Sequence, residues 1–302
     1  MSSKRGRGRG RGHIKRQQVP SSDGWTTITH GVSKLSVSQK SKTPAALPTT
    51  TVAGLTPSLL LADFERLREE WRDTAIARQL GALLGKKKWG VDNAVCIGVG
   101  SLSRDWTHRH RSLWQLVLFM ELVPHLNKED AGSKDVVLYA QDPAFTTLDR
   151  SFLALLSITV MDTGIEEHIT QNTFVFSPFV DWFILLPVFL KESRPVLYVG
   201  NEVLRDYGVF AQSEEKRGKL VECDELGKKF LEGRECVKLQ EFEKHGSALS
   251  GMVVYWIPGE DGQEQEEEKG RNCCVSPAFP PLSLEYSRRA DISRHATSSL
   301  DA

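Results

Sequence analysis

Short apolar runs of strand length alternate along this chain with longer stretches in which apolar positions recur every three or four residues. Leu60, Phe64, Leu67, Trp71 and Ala75 carry the longer spacing down to about Leu84. That predicts one amphipathic helix from Thr56-Pro57-Ser58 to near Gly85, with its Trp and Phe stripe packed in a core. Residues 95–99 form the first strand-like run, which breaks into Gly98-x-Gly100-Ser101-x-Ser103. Ser112 then caps a predicted helix with the apolar face Leu113, Leu116, Val117, Met120 and Leu122, stopped around Pro124. A second run at 136–140 delivers Asp142-Pro143, and Asp149 or Thr147 caps a helix through Leu156. The third run, 158–161, ends in Asp162-Thr163-Gly164, and the fourth, 173–176, ends in Ser177-Pro178-Phe179. A very apolar helix is expected over 180–190, before a fifth run at 196–199 that ends in Gly200-Asn201.

Apolar runs that end in small, acidic or turn residues and alternate with helical patterns predict an α/β fold, a Rossmann-like, mostly parallel sheet flanked by helices. Residues 205–245 are highly charged with irregular helical patterning, and 251–257 read as a sixth strand, expected at the sheet edge. The domain is therefore bounded at 55–258. Before it, residues 1–54 read as a disordered Arg-Gly-rich and Ser/Thr/Pro-rich region, in which 23–30 alternate enough for a short strand or docking segment. After it, residues 259–302 read as a disordered acidic tail that contains prolines.

Charge changes this picture at the two ends. The formal net charge is zero, yet residues 1–16 hold seven Lys or Arg and no acid, while 260–268 hold six acids and no base. The Arg-Gly box at Arg5, Arg7, Arg9 and Arg11 suits contact with RNA phosphates, nuclear import or arginine methylation, and equally a solubilising tail. Lys86-Lys87-Lys88 complements a helix C-terminus. Five cysteines without a CxxC pair or zinc-spaced histidines indicate neither a disulfide framework nor a zinc module, and favour a reducing compartment. The start lacks the apolar core of a secretory signal. The most apolar segment, 174–190, contains Pro178, Asp181 and Pro187, which favours a buried strand and helix over a membrane span.

The candidate chemistry collects where the runs end. Glycines at 98 and 100 permit a sharp turn and close approach of a ligand to the backbone, although Ser103 stands where a dinucleotide fingerprint has its third glycine. The following loop holds Arg104, Asp105, Trp106, His108, Arg109, His110 and Arg111. His108-x-His110 lacks a third metal ligand nearby, so this basic, aromatic loop suits an anionic ligand or a protein partner better than a metal. In doubly wound sheets, ligands bind beyond the carboxyl ends of the strands. Gly98, Gly100, Ser101, Ser103, Asp142, Asp162, Ser177 and Asn201 all map there and form the expected ligand-binding rim.

The order of these motifs is itself informative: Gly-x-Gly-Ser-x-Ser, Gln115, Asp142-Pro-x-Phe145 with Asp149, Thr173-Phe-x-Phe-x-Pro178, and Leu197-x-x-Gly-Asn201. It resembles the sensitivity-to-red-light-reduced (SRR) family domain over about residues 55–257. Pro178-Phe-Val-Asp-Trp182 and the opening at 23–26 resemble its fungal branch. The resemblance implies a regulatory protein of cytoplasm and nucleus, linked across the family to light and circadian signalling, haem metabolism and cytoskeletal stability, with no established catalysis. Plant and animal members carry Pro-His-Cys after the fourth strand. Phe179 and Val180 stand here instead, so a haem or metal role resting on that pair does not carry over.

Two functions follow. One is a non-catalytic regulator that binds a partner or small ligand at the rim, with no particular cofactor implied; no Ser or Cys sits in an elbow motif with an assigned His. The other is an S-adenosylmethionine-dependent methyltransferase-like enzyme, with a glycine turn after strand one, Asp142 after strand two, Asp162 after strand three and Ser-Pro-Phe after strand four. Against this second reading, Ser177 replaces the amide or acid that would orient a target amine.

Overall fold

A computed structural model describes residues 16–20, 26–30, 50–126, 135–210 and 214–258. Two short strands, β1 (Arg16–Pro20) and β2 (Thr26–His30), pair antiparallel, and β2 forms within the alternating segment at 23–30. The Arg-Gly box and the acidic and proline-containing stretch after 258 lie outside the described residues.

The long helix expected over 57–84 is two helices. α1 (Pro57–Arg72) starts on Thr56, whose hydroxyl accepts from the Leu59 amide at 3.2 Å with Pro57 in the first turn. It buries Leu60, Phe64, Leu67 and Trp71. The break falls at Thr74, which leaves the helix in an extended conformation and caps α2 (Ala75–Leu84). Its hydroxyl donates to the Trp71 carbonyl at 2.7 Å and accepts from the Ala77 amide at 3.2 Å, closing one helix and opening the next.

The strands β3 (Asn93–Ile97), β4 (Val137–Gln141), β5 (Ile158–Val160), β6 (Thr173–Ser177), β7 (Leu197–Asn201), β8 (Glu235–Lys238) and β9 (Met252–Trp256) form a seven-stranded sheet in the order β5-β4-β3-β6-β7-β9-β8. The first five run parallel, and β9 is antiparallel to both β7 and β8. This is the expected Rossmann-like sheet, with its order reversing between β3 and β6. β9 is not the edge strand expected from sequence. β8, a charged four-residue strand, covers it. Charged residues and short length are ordinary at an edge, and both hid the strand from a pattern reading.

Helices cover both faces, so the central strands bury side chains on each. Ala94 and Cys96, Phe174 and Phe176, and Leu197 and Val199 join the core formed with α1, α2, α3 (Arg109–Leu122) and α4 (Thr147–Leu155). Val95 and Ile97, Val175, and Tyr198 join a second core with Leu185–Leu190 and α6 (Glu214–Leu231). This period-two division explains why the strands read as continuous apolar runs. Phe119 of α3 packs against Phe174 and Phe176 at 5.6 and 5.8 Å between ring centres. Burial of each such side chain contributes about 1.5–3 kcal/mol relative to exposure.

The apolar helix expected over 180–190 is a short turn of α-helix, α5 (Trp182–Ile184), that widens into a π-helix at Leu185–Leu190. Pro187 lies inside it and supplies no amide to the helical ladder. Among the described residues, no helix is long and apolar enough to cross a membrane.

Candidate functional site

The rim is built from the turn that follows β3. Gly98 and Gly100 both take positive φ, 74° and 79°, the left-handed region that residues with a Cβ rarely adopt. Two carboxylates from the neighbouring strand-helix unit hold the turn. Asp142, just after β4, accepts from the Gly100 amide at 2.7 Å with one oxygen and from the Ala144 amide at 2.7 Å with the other. Burial pushes its carboxyl up to about 6, against the pull of those two amides.

Asp149 is fully buried and does more than cap a helix. Thr146 and Asp149 form a capping box at the start of α4, with Asp149 accepting from the Thr146 amide at 2.8 Å. The same carboxylate accepts from the Ser101 hydroxyl at 2.6 Å and the Leu102 amide at 3.1 Å. Ser101 Oγ in turn accepts from the amides of Ser103 and Arg104 at 3.3 and 3.1 Å, and Ser103 Oγ meets Thr146 Oγ1 at 2.7 Å. Ser101 and Ser103 are therefore buried structural hydroxyls of the turn. The expected helix cap moves accordingly, from Thr147 or Asp149 to Thr146.

The basic loop is tethered along its length. Arg104 Nε donates to the Ala144 carbonyl at 2.9 Å, Arg109 Nε donates to the Leu102 carbonyl at 2.8 Å, and Arg109 pairs with Asp63 of α1 at 2.9 Å. The segment before α1 adds a bridge, with the Val52 amide on the Ser103 carbonyl at 2.9 Å and the Asp105 amide on the Thr50 carbonyl at 3.0 Å. Trp106 closes the turn by donating from its indole to the Ser101 carbonyl at 3.0 Å. A Cβ on Gly100 would lie 2.9 Å from the Trp106 ring. The space that the glycine leaves open is filled by this indole.

α3 starts four residues before the expected position, at Arg109, so Ser112 lies inside the helix and caps nothing. Its buried hydroxyl has no hydrogen-bond partner, and an added Cβ on Gly100 would lie 3.1 Å from it. Arg111, one residue earlier, places its guanidinium over the Phe179 ring at 4.0 Å. Its Nε is buried without a partner, and burial lowers its pKa. Ser177, at the end of β6, is fully buried and its hydroxyl is also unpartnered. β3 and β6 pair in parallel through Cys96 and Phe176, so Ser177 ends its strand where the strand order reverses.

The remaining rim residues stand apart. Asp162 follows β5, the outer strand; its side chain is 78% exposed and pairs with Arg150. Asn201 ends β7, and its amide donates to the Val180 carbonyl at 3.4 Å. Next to it, Gly200 pairs with Ser177, and a Cβ there would lie 2.2 Å from the Ser177 carbonyl. The structure thus joins Gly98, Gly100, Ser101, Ser103 and Asp142 in one turn with Ser177 on the adjoining strand, and leaves Asp162 and Asn201 at separate strand ends. Residue spacing flagged neither the Arg111-Phe179 stack nor the Trp106 cover, because both form between segments far apart or across a turn. The Thr146-x-x-Asp149 spacing was a readable signal for the buried acid.

Among the described residues, no group of three or more His, Cys, Asp or Glu is placed to hold a metal ion. Cys96 lies in the core beneath the turn, where burial raises its thiol well above the ordinary value, so it is a poor nucleophile.

Among solved structures, the chain is similar to the O-methyltransferase from Bacillus cereus in complex with SAH, at 16% identity over 66% of this chain and 91% of that one, with a TM-score of 0.35. It is also similar to cofactor-bound Rv0187 from MTB, at 13% identity over 68% and 92% and a TM-score of 0.33. The methyltransferase domain of bacterial CtHen1-C gives 13% identity over 61% and 98%, with a TM-score of 0.30. No curated protein matches the chain. The sequence profile of the SRR1 domain matches residues 65–256, from α1 to the end of β9, and the chain belongs to the SRR1 domain family.

Proposed function

We propose that this SRR1 domain protein is a non-catalytic regulator whose rim takes an anionic group of a small ligand or partner at the reversal between β3 and β6. The observation that carries this reading is the Arg111 guanidinium stacked on Phe179 with its Nε buried and unpartnered; Ser177, two residues before Phe179, also has a buried, unpartnered hydroxyl. Phe179 is itself 39% exposed, so the stack faces outward. A guanidinium held flat by an aromatic ring is pre-organised for an oxyanion, and its partial desolvation strengthens the attraction. The absence of catalysis in this reading rests on how the rim acids are used. Both oxygens of Asp142 and the carboxylate of Asp149 accept from the turn itself, an arrangement that fixes backbone. The cytoplasmic and nuclear location and the fungal-type branch implied by the resemblance belong to the same reading.

The test is a thermal-shift titration of the full chain with inorganic pyrophosphate. Saturable stabilisation that disappears in Arg111→Gln is the expected result. Stabilisation that survives in Arg111→Gln, or none in the native chain, overturns the reading.

One observation favours the methyltransferase-like alternative. Counted from β3, the strand order is 3-2-1-4-5-7-6 with only the last strand reversed, and Asp142 follows the second strand, where an acid would accept from a ribose. Calorimetry with millimolar S-adenosylmethionine separates the two. Binding heat supports the alternative, and no heat removes it.

A further inference from the structure

The opposite end of the sheet holds a second concentration of positive charge. Arg234, immediately before β8, lays its guanidinium over the Phe230 ring at 4.3 Å. All three of its nitrogens are buried, and none has a hydrogen-bond partner. A guanidinium withdrawn from water without an acceptor is costly, because five donors go unmet. Burial, with Arg194 nearby, lowers the Arg234 pKa to about 10. Arg194 is exposed and donates to the Glu232 carbonyl at 2.6 Å. Among the described residues, neither arginine is ion-paired with a carboxylate.

Strand register places both arginines at the exit of β9. Trp256, its last residue, pairs with Leu197 on one side and Glu235 on the other. Arg194 precedes Leu197 by three residues, and Arg234 directly precedes Glu235. The Ile257 amide donates to the Val196 carbonyl at 3.3 Å, and the Ile257 carbonyl accepts from Lys87 Nζ at 2.7 Å. Lys87 also lies over the Trp89 ring at 4.2 Å, with Lys86 next to it in sequence. Glu235 is the acid that faces Lys87.

From this point the chain enters the run at 260–268, with six acids and no base. At about 3.3–3.6 Å per residue, Glu260 comes within roughly 10 Å of Ile257, so the acids begin within reach of the arginines. A guanidinium fork matches a carboxylate, and Arg234, braced by Phe230, needs one. We propose that Arg194 and Arg234, with Lys86 and Lys87, form a carboxylate-binding collar whose occupant is the acidic run 260–268 of the same chain. The collar is separate from the rim, and this inference does not depend on the reading given for Arg111.

The test uses the full chain and a labelled hexaglutamate peptide, with fluorescence polarisation at low salt. A variant with the run neutralised (E260Q, D261N, E264Q, E266Q, E267Q and E268Q) is expected to bind the peptide at least about tenfold more tightly than the native chain. The tethered run competes at an effective concentration of order millimolar in the native chain alone. Adding Arg194→Gln to the neutralised variant abolishes that binding. Arg194 is exposed, so its replacement leaves the fold intact, and Arg234→Gln is the second variant, checked by urea unfolding. Equal binding by native and neutralised chains would mean that the collar takes external anions and not the run. That result, no binding to the neutralised chain, or binding that survives Arg194→Gln, overturns the proposal.

Discussion

Replacing Asp149 with alanine separates a helix cap from the anchor of the whole turn. The carboxylate accepts from Ser101 Oγ at 2.6 Å, Leu102 N at 3.1 Å and Thr146 N at 2.8 Å, all at a fully buried residue. Loss of a helix cap alone costs about 1 kcal/mol. Hydrogen bonds to a charged group are each worth about 1.5–3 kcal/mol, and donors left unmet in the interior carry their desolvation penalty. The Ser101 hydroxyl can rotate, so the two backbone amides dominate, and Asp149→Ala is expected to cost about 3–5 kcal/mol. Asp149→Asn keeps one acceptor but turns an amide donor toward other donors, for about 1.5–3 kcal/mol. Urea unfolding measures this as a lowered midpoint at unchanged slope. A double-mutant cycle with Ser101→Ala isolates the turn contribution, with an expected coupling above about 1 kcal/mol. A loss of about 1 kcal/mol for Asp149→Ala, with no coupling to Ser101, would reduce Asp149 to a cap and refute the argument.

Asp142 supplies a pH signature. Its carboxyl is raised from 3.8 to about 6, so the folded state holds this proton more tightly than the unfolded chain. Its contribution therefore favours folding below the unfolded pKa of 3.8 and is lost as pH rises through about 6. The Gly100 and Ala144 amide resonances should titrate with a midpoint near 6 and lose that titration in Asp142→Asn; a midpoint near 4 would contradict the burial argument. Two glycines make a contrasting pair. A Cβ at Gly200 meets the Ser177 carbonyl at 2.2 Å, whereas at Gly218, in α6, it meets nothing within 4 Å. Gly200→Ala is expected to cost more than about 3 kcal/mol, as overpacking against rigid backbone does. Gly218→Ala is expected to gain about 0.5–1 kcal/mol, and thermal melts that rank the two the other way would refute the packing account.

Strands buried on both faces left uninterrupted apolar runs, which is why β3, β4, β5, β6 and β7 were legible to within a residue or two. β8 was not, because Glu235, Cys236, Val237 and Lys238 form a short edge whose pairing depends on β9 and not on its own pattern. The split between α1 and α2 was hidden for a related reason. The apolar spacing continues through Thr74, and only the two-sided hydrogen bonding of its hydroxyl ends one helix and begins the next. At the rim, glycines and acids announced themselves by position, but their tasks were set in three dimensions. Asp142 and Asp149 serve the turn's own amides, and unmet polar groups belong to Arg111, Ser112 and Gln115 on α3, Gln141 at the end of β4 and Ser177 on β6. Local spacing carries no record of a guanidinium meeting a ring sixty-eight positions away, as Arg111 meets Phe179.

The indole over Gly100 has a kinetic consequence. A molecule that comes up against the backbone of this turn must change places with Trp106, whose ring nitrogen is held by the Ser101 carbonyl. Arrival is then a sequence of two events, departure of the ring and entry of the newcomer, and only the second depends on concentration. At high concentration the observed rate reaches a plateau equal to the rate of ring departure, whatever the visitor's chemistry. For any such molecule, Trp106 would set how fast the turn is reached, independently of how tightly the newcomer is held there.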